Sequence, residues 1–269
     1  MKTDSFGTYS PTPTGKFLRM IIHSGISRGK VKKLFHRAWK KFVGEKPVDL
    51  HYQGLKLRIR PFGNSIESNI LFSSKVREHV ELKTIKNFIN GSTLFLDIGA
   101  NFGYYSLFVA RFGARRCISF EPNPILIDRI KENVELNEFT NKISIGPYAL
   151  SDKTGVVSLR IPKNGLGSSA IGKKICSNNI IDVQQTTLKK ALQEFKEVYP
   201  DIIKIDVEGL EDKVLFPYLY HLNKKNLPSL IIIEDNREDW DLNIIDWLET
   251  HYYKRIGKTR GNIILAKNN

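Results

Sequence analysis

The stretch Leu94-Phe-Leu-Asp-Ile-Gly-Ala-Asn-Phe-Gly103 runs from apolar residues into an acid, through two glycines and on into the helix-like Tyr104-Tyr-Ser-Leu-Phe-Val-Ala-Arg111. A strand that turns this tightly into a helix needs a crossover before the next strand can pair, which favours a parallel α/β sheet. The rest of the chain keeps the same rhythm. Strand-like runs fall near 94–98, 117–120, 143–150, 202–206, 230–234 and 263–266, and helical spacing near 104–112, 124–138, 187–198, 211–222 and 243–251. Pro124, just after Asn123, is a helix start signal. The alternation predicts a mainly parallel sheet with helices on both faces. Residues 162–180 read as an irregular insertion, and no internal repeat is visible.

The loop wording narrows the chemistry. A dinucleotide fold uses G-x-G-x-x-G so that the backbone can approach a pyrophosphate. Here the pattern is D-x-G-x-N-x-G, with Asp97 where an anionic cofactor would be repelled. S-adenosyl-L-methionine has no phosphate and carries a sulfonium and an ammonium, so an acid at the strand end suits it. A second acid, Glu121, closes the next apolar run 22 residues after Gly99, where a carboxylate can take both ribose hydroxyls. These residues imply an S-adenosylmethionine-dependent methyltransferase.

The 269 residues fit one α/β domain with an N-terminal extension. Residues 1–60 carry fourteen Lys and Arg against Asp4, Glu45 and Asp49, so eleven of the fourteen net positive charges sit there. The division expected is a disordered segment over 1–15, a basic helical and hairpin extension over 16–72, and the methyltransferase domain over 73–269. Val31, Leu34, Phe35, Ala38, Trp39 and Phe42 form one helical face among lysines. That face could lie on an anionic membrane or pack on the catalytic domain. Alternation at Val48, Leu50 and Tyr52, a Gln53-Gly54 break, then Leu55, Leu57 and Ile59 predict a hairpin. Ser73 or Ser74 is expected to cap a helix with Val76, Val80, Ile85, Phe88 and Ile89 on one side. No apolar run reaches the ~18 residues of a membrane span, and Cys117 and Cys176 make no disulfide framework or metal spacing. A cytoplasmic protein is expected, with the basic helix a means of sitting at the inner membrane face.

With Asp97-Ile-Gly-Ala-Asn-Phe-Gly103, Phe120-Glu-Pro-Asn123, Ala149-Leu-Ser-Asp152 and Lys204-Ile-Asp-Val-Glu-Gly209 in order, the chain resembles the FkbM family of class I methyltransferases over about residues 75–240. The resemblance implies a Rossmann-like, seven-stranded sheet whose last strands form an antiparallel pair. It also implies S-adenosyl-L-methionine as cofactor and methylation of a hydroxyl on a sugar, glycan or polyketide-like product.

From the residues, Asp97 would orient the methionine end of the cofactor, directly or through water. Gly99, Ala100, Asn101 and Gly103 would bring backbone to it, Glu121 would hold the ribose, and Asn123 would assist or simply cap the next helix. The adenine edge would meet Ala149, Leu150 and Ser151, with Asp152 a lesser candidate. Asp206 emerges at the carboxyl edge, where ligands collect in open sheets, so it is the first candidate base, and also a cofactor contact. Glu208 is the second candidate base. Phe102, Tyr104 and Tyr105 could pack a substrate. Asp206 with Asp235 and Asn236 could instead hold Mg²⁺, although no dedicated metal site is expected. The expected acceptor is a hydroxylated small molecule, glycan or glycolipid. A nucleic-acid methyltransferase is the alternative raised by the basic extension, against which no RNA-binding module is recognisable. A non-catalytic cofactor-binding interaction protein is the other alternative.

Overall fold

The computed structural model describes residues 3–26, 30–73, 79–162, 165–171 and 179–268. At its centre β3 (Leu94–Ile98), β4 (Arg116–Phe120) and β5 (Ile143–Gly146) step outward in one direction. The chain then returns to the other side of β3 with β10 (Ile202–Ile205) and β11 (Leu230–Glu234), all five parallel. β13 (Asn262–Lys267) lies antiparallel beside β11, with β12 (Tyr253–Lys258) at the edge. The order β12-β13-β11-β10-β3-β4-β5 is the Rossmann-like arrangement expected, antiparallel pair included. Its direction reverses between β3 and β10, and the crevice at a reversal of this kind is where such sheets bind ligands.

The central strands are buried on both faces, so they read as continuous apolar runs rather than as alternation. One face joins Phe95 and Cys117 to α4 (His79–Phe88), α5 (Tyr104–Arg111) and α6 (Pro124–Leu136). The other joins Leu96, Ile118 and Ile203 to α7 (Leu188–Glu194), α8 (Glu211–Leu219) and α9 (Ile244–His251).

Three expectations need correction. The run 143–150 is not one strand: after β5 the chain leaves the main sheet, and β6 (Ala149–Ser151) pairs elsewhere. The partner belongs to a second sheet, order β6-β9-β7-β8, made with β7 (Gly155–Ile161), β8 (Ala170–Ile171) and β9 (Asn179–Thr187). Within the expected insertion over 162–180, Ala170–Ile171 and the first residues of β9 are strand among the described residues, and the rest of this sheet flanks it. The core of this sheet is small (Ala149, Leu159, Ile161 and Val183), and Val156 and Ile180 point to solvent, so periodicity did not reveal it. Ser73 ends an earlier helix rather than capping the expected one, which is α4. α3 (Ser65–Phe72) ends at Ser73, and α4 buries Leu82 and Ile85 while exposing Val80; Ser74 and Val76 lie outside the described residues.

The third correction concerns residues 1–15. The chain from Thr3 is ordered, and α1 (Pro13–Ile21) starts at Thr12, whose side chain accepts the Gly15 N–H at 3.2 Å. The anchor is a buried ion pair on the expected hairpin of β1 (Val48–Tyr52) and β2 (Leu55–Ile59), where Asp49 faces Arg58. Arg58 donates to Asp49 through Nε at 2.7 Å and Nη2 at 3.0 Å, and to the Asp4 and Ser5 carbonyls. The Gly7 and Tyr9 N–H groups donate to Asp49 Oδ2 at 2.8 and 3.1 Å. A composition poor in apolar residues concealed a segment held by polar bonds.

Burial alone would raise the Asp49 pKa, but bonds from Arg58, Tyr9 and Gly7 hold it below its ordinary value. Stability from this group is therefore present above the unfolded-state pKa and is lost as pH falls through the folded one. Asp49→Ala should lower unfolding free energy by about 3–5 kcal/mol at neutral pH in urea titrations, because Arg58 loses its main partner. The difference from the native protein should shrink on acidification; a constant difference would remove the linkage.

Candidate active site

Three left-handed residues, Gly99 (φ 76°), Asn101 (φ 56°) and Gly103 (φ 86°), fold the chain between β3 and α5. Gly99 is irreplaceable sterically: a Cβ there would lie 1.8 Å from the Asp206 carbonyl oxygen. The Gly99 and Ala100 N–H groups both donate to the Phe120 carbonyl at 3.0 Å, tying this loop to the end of β4. β3, β4 and β10 thus deliver three motifs, far apart in sequence, to one cleft that is partly open to solvent.

Glu121 lies in that cleft and is almost wholly buried. Its Oε2 accepts the Asn101 N–H at 2.8 Å and its Oε1 the Asn123 N–H at 3.0 Å. Each oxygen keeps a further lone pair, so two ribose hydroxyls could bond it without breaking either contact. Burial pushes Glu121 up to about 7, against the lowering effect of the two N–H bonds. Ala100, Asn101, Ala149 and Leu150 also line the cleft, with Phe102, Tyr104, Tyr105 and Tyr148. Phe102 and Tyr104 stack nearly parallel, 7° apart, at 6.2 Å.

Four expected cofactor residues stand behind this wall rather than on it. Asp97 is fully buried, and its Oδ2 accepts the Ser106 N–H (3.1 Å) and hydroxyl (2.9 Å), which pins α5 to β3. Its Oδ1 has no hydrogen bond and faces Lys204 Nζ at 3.9 Å; burial raises its pKa, opposed by Lys204 and Ser106. Gly103 packs against Ile130 at the entry of α5. Asn123 caps α6 by accepting the Ile125 N–H at 3.1 Å. Ser151 donates to its neighbour Asp152 at 3.0 Å. Strand ends show in the sequence, but which side chains turn inward there does not.

At the other wall, Asp206, Val207 and Glu208 follow β10. Glu208 is left-handed at φ 58° and Gly209 at φ 102°, so the chain turns sharply there. Backbone held this way by a non-glycine residue marks a position that its surroundings over-determine. The restraint is Glu211, fully buried, which accepts the Val207 and Gly209 N–H groups at 2.9 and 3.3 Å, and Trp240 Nε1 at 2.8 Å. Glu211 is not among the residues expected at the site; an acid in the first turn of a helix after a glycine was the available signal. Lys204, which opens the Lys204–Gly209 motif, donates to the Gly99 carbonyl at 3.1 Å, lies 3.5 Å from Asp206 Oδ2 and stands over the Tyr105 ring.

Glu234 ends β11 one residue beyond the Ile205–Ile233 pairing, which places it beside Asp206. Burial, the Asp206 charge and a hydrogen bond with Asp206 push Glu234 up to about 9. That shift favours the protonated form of Glu234. Asp235 is engaged by Arg237 at 2.7 Å, and Asn236 donates to Glu234 and Glu211. Among the described residues no group of three or more His, Cys, Asp or Glu is placed to hold a metal.

The cleft is roofed from outside the main sheet. Leu166 donates its N–H to the Gly63 carbonyl at 2.8 Å, Asn123 Nδ2 reaches Ser169 Oγ at 3.3 Å, and Asn64 Nδ2 donates to Asn101 Oδ1 at 2.6 Å.

The methyltransferase FkbM domain profile matches residues 97–255, which is more than half of the chain. The chain belongs to the FkbM methyltransferase family. S-adenosyl-L-methionine is the cofactor of this family. The residues fit that group, with apolar Phe120, Leu126 and Leu150 beside the Glu121 carboxylate. Among related proteins, methyltransferase sdnD of Sordaria araneosa is 25% identical over 185 residues, 56% of this chain and 69% of its own. Protein arginine N-methyltransferase 1 of Saccharomyces cerevisiae is 32% identical over 120 residues, covering 44% of this chain and only 33% of that protein. The crystal structure of methyltransferase FkbM from Methylobacillus flagellatus KT shares 13% identity over 95% of this chain and 59% of that one, with a TM-score of 0.47. An rRNA methylase from Streptococcus thermophilus shares 9% identity over 72% of this chain and 98% of that one, with a TM-score of 0.45.

Glu121→Ala should weaken S-adenosylmethionine binding by about 1.5–3 kcal/mol, the scale for hydrogen bonds to a charged group. Because the ionised carboxylate is the better acceptor, affinity should also rise between about pH 6 and 8 as Glu121 loses its proton. Titration calorimetry across that range checks both, and a flat profile in the native protein would contradict the assignment of Glu121 to the ribose.

Proposed function

We propose that the protein methylates a hydroxyl group on a glycan, glycolipid or related metabolite. The observation that carries this reading is the Asp206 carboxyl on the cleft wall, with Glu234 beside it at the end of β11. An alcohol must lose its proton as it attacks an electrophilic carbon, and a carboxylate at the reacting centre can take it. When bound, S-adenosylmethionine supplies an electrophilic methyl group on a cationic sulfur. Asp206 accepts the hydroxyl proton. Glu234 stays protonated and fixes the Asp206 carboxylate by donating to it, and Glu208 stands beside it as the second carboxylate facing the acceptor. Lys204 steadies both Asp206 and the glycine loop, so alignment of acceptor and methyl carbon is built into the floor.

A second hollow supports an acceptor rich in hydroxyls. It is lined by His36, Lys40, Phe62, Asn64, Ser65 and Ser68, and it meets the cofactor cleft at Gly167. An aromatic face with amides and hydroxyls around it suits a sugar ring, whose C–H face stacks while its rim hydrogen-bonds. The extension and the 165–171 strap build this hollow, which is consistent with acceptor choice residing in elements outside the shared core.

Asp206→Asn should lower turnover by about 10²–10⁴-fold while leaving cofactor affinity nearly unchanged. Glu234→Gln should retain measurable turnover and displace the pH–rate profile. The measurement is single-turnover methyl transfer to a panel of glycans, glycolipids and RNA, with calorimetry alongside. Equal losses in binding and rate for Asp206→Asn, or transfer to RNA alone, would exclude this reading.

A further inference from the structure

We propose that α1 and α2 (Lys30–Phe42) form a docking surface for an anionic lipid bilayer, lying in its interfacial plane. A helix packed on a domain needs only one apolar side, and α2 has two. One side is spent on the protein: Trp39 is fully buried edge-on to Phe72, and His36 lies against Phe62 and Phe72. The adjoining side presents Leu34 and Phe42, 64% and 62% exposed, with Val31 between them around the helix. At 100° per residue these three share one arc, with Lys41, Arg37 and Lys33 following in order around its border. α1 repeats the pattern, exposing Phe17 and Met20 beside Lys16. Nothing among the described residues covers either set.

The sign of the charge selects the occupant. Residues 16–43 contain nine Lys and Arg and no Asp or Glu, whereas the chain beyond residue 60 is close to balanced. A second copy of the chain would bring like charge against like charge. Of the five exposed apolar side chains, Phe17 and Phe42 could stack on a base, one on each helix, but Met20, Val31 and Leu34 offer no stacking face, so the mixed stripe suits acyl chains better than a single-stranded nucleic acid. An apolar stripe rimmed by Lys and Arg is the composition that inserts shallowly between anionic headgroups. No described helix is long and apolar enough to cross a membrane, so a surface position is the geometry available. His36 and Lys40, on the remaining flank of α2, line the hollow that opens on the cofactor cleft. A bilayer under α2 would therefore hold lipid headgroups close to the acceptor hollow.

The test is sedimentation of the full chain with phosphatidylcholine vesicles that contain about one quarter phosphatidylglycerol, beside pure phosphatidylcholine. The native protein should pellet with the first and not the second, and should be released by salt. Leu34→Asp with Phe42→Asp, and separately Lys33→Glu with Arg37→Glu and Lys41→Glu, should each cut the bound fraction by about tenfold or more. Phe17→Ser with Met20→Ser provides an independent variant on α1. All three keep Trp39 and every cleft residue, so melting temperature and S-adenosylmethionine binding should stay native. Those two readouts test the cofactor site, and their failure can be told apart from failure of membrane docking. No pelleting of the native protein, or undiminished pelleting of the folded variants, overturns the proposal. So does tight binding of an RNA oligonucleotide by a protein that ignores both vesicles.

Discussion

Among the described glycines the tightest place is Gly99, where a Cβ would lie 1.8 Å from the Asp206 carbonyl oxygen. β3 and β10 are adjacent, parallel and in register, so both strands end at the same level and their exit loops must pass each other. Glycine at position 99 lets them pass. Everything that makes the cleft useful follows from that crossing. Asn101 is delivered to Glu121, Lys204 reaches the Gly99 carbonyl, and Asp206 enters the wall opposite the aromatic entry of α5.

The buried acids divide into builders and reactants. Asp97 and Glu211 have their oxygens turned toward backbone N–H groups and neighbouring side chains, and they fix α5 and the turn after β10. Glu121 is intermediate, because it holds two loops while keeping acceptor capacity toward the cleft. The Asp206–Glu234 pair sets a cleft-facing carboxyl beside a neighbour whose protonated form burial favours. Charge burial is expensive, and a fold tolerates it where the group is hydrogen-bonded, faces an opposite charge as Asp97 faces Lys204, or is needed for its proton.

The sheet was legible in the sequence because strands buried on both faces leave long isoleucine-rich runs that nothing else explains. The glycine loop and the acids after β3, β4 and β10 were legible for the same reason, since strand ends locate them. What stayed hidden depends on tertiary neighbours. β7 and β9 bury too few residues to leave a pattern. α3 has apolar residues without a clean stripe, and residues 3–9 are ordered by Asp49 and Arg58, far from them in the chain. Glu234 looked like an ordinary strand end until its register set it beside Asp206. Asp97 shows the converse, a motif residue legible by position whose side chain turns into the interior.

The contacts between the extension and α6 make these two regions one folding unit. Arg129, which is buried, pairs with Glu67, and Asn133 exchanges hydrogen bonds with the backbone of Arg58. A portion cut to the boundaries shared across the family would lose the partners of Arg129 and Asn133 and uncover the apolar surface that α6 shares with the extension. Recombination within such a family therefore cannot treat the extension as an interchangeable cassette. Any graft that swaps acceptor preference by exchanging it must carry matching residues on α6, so the two will change together or not at all.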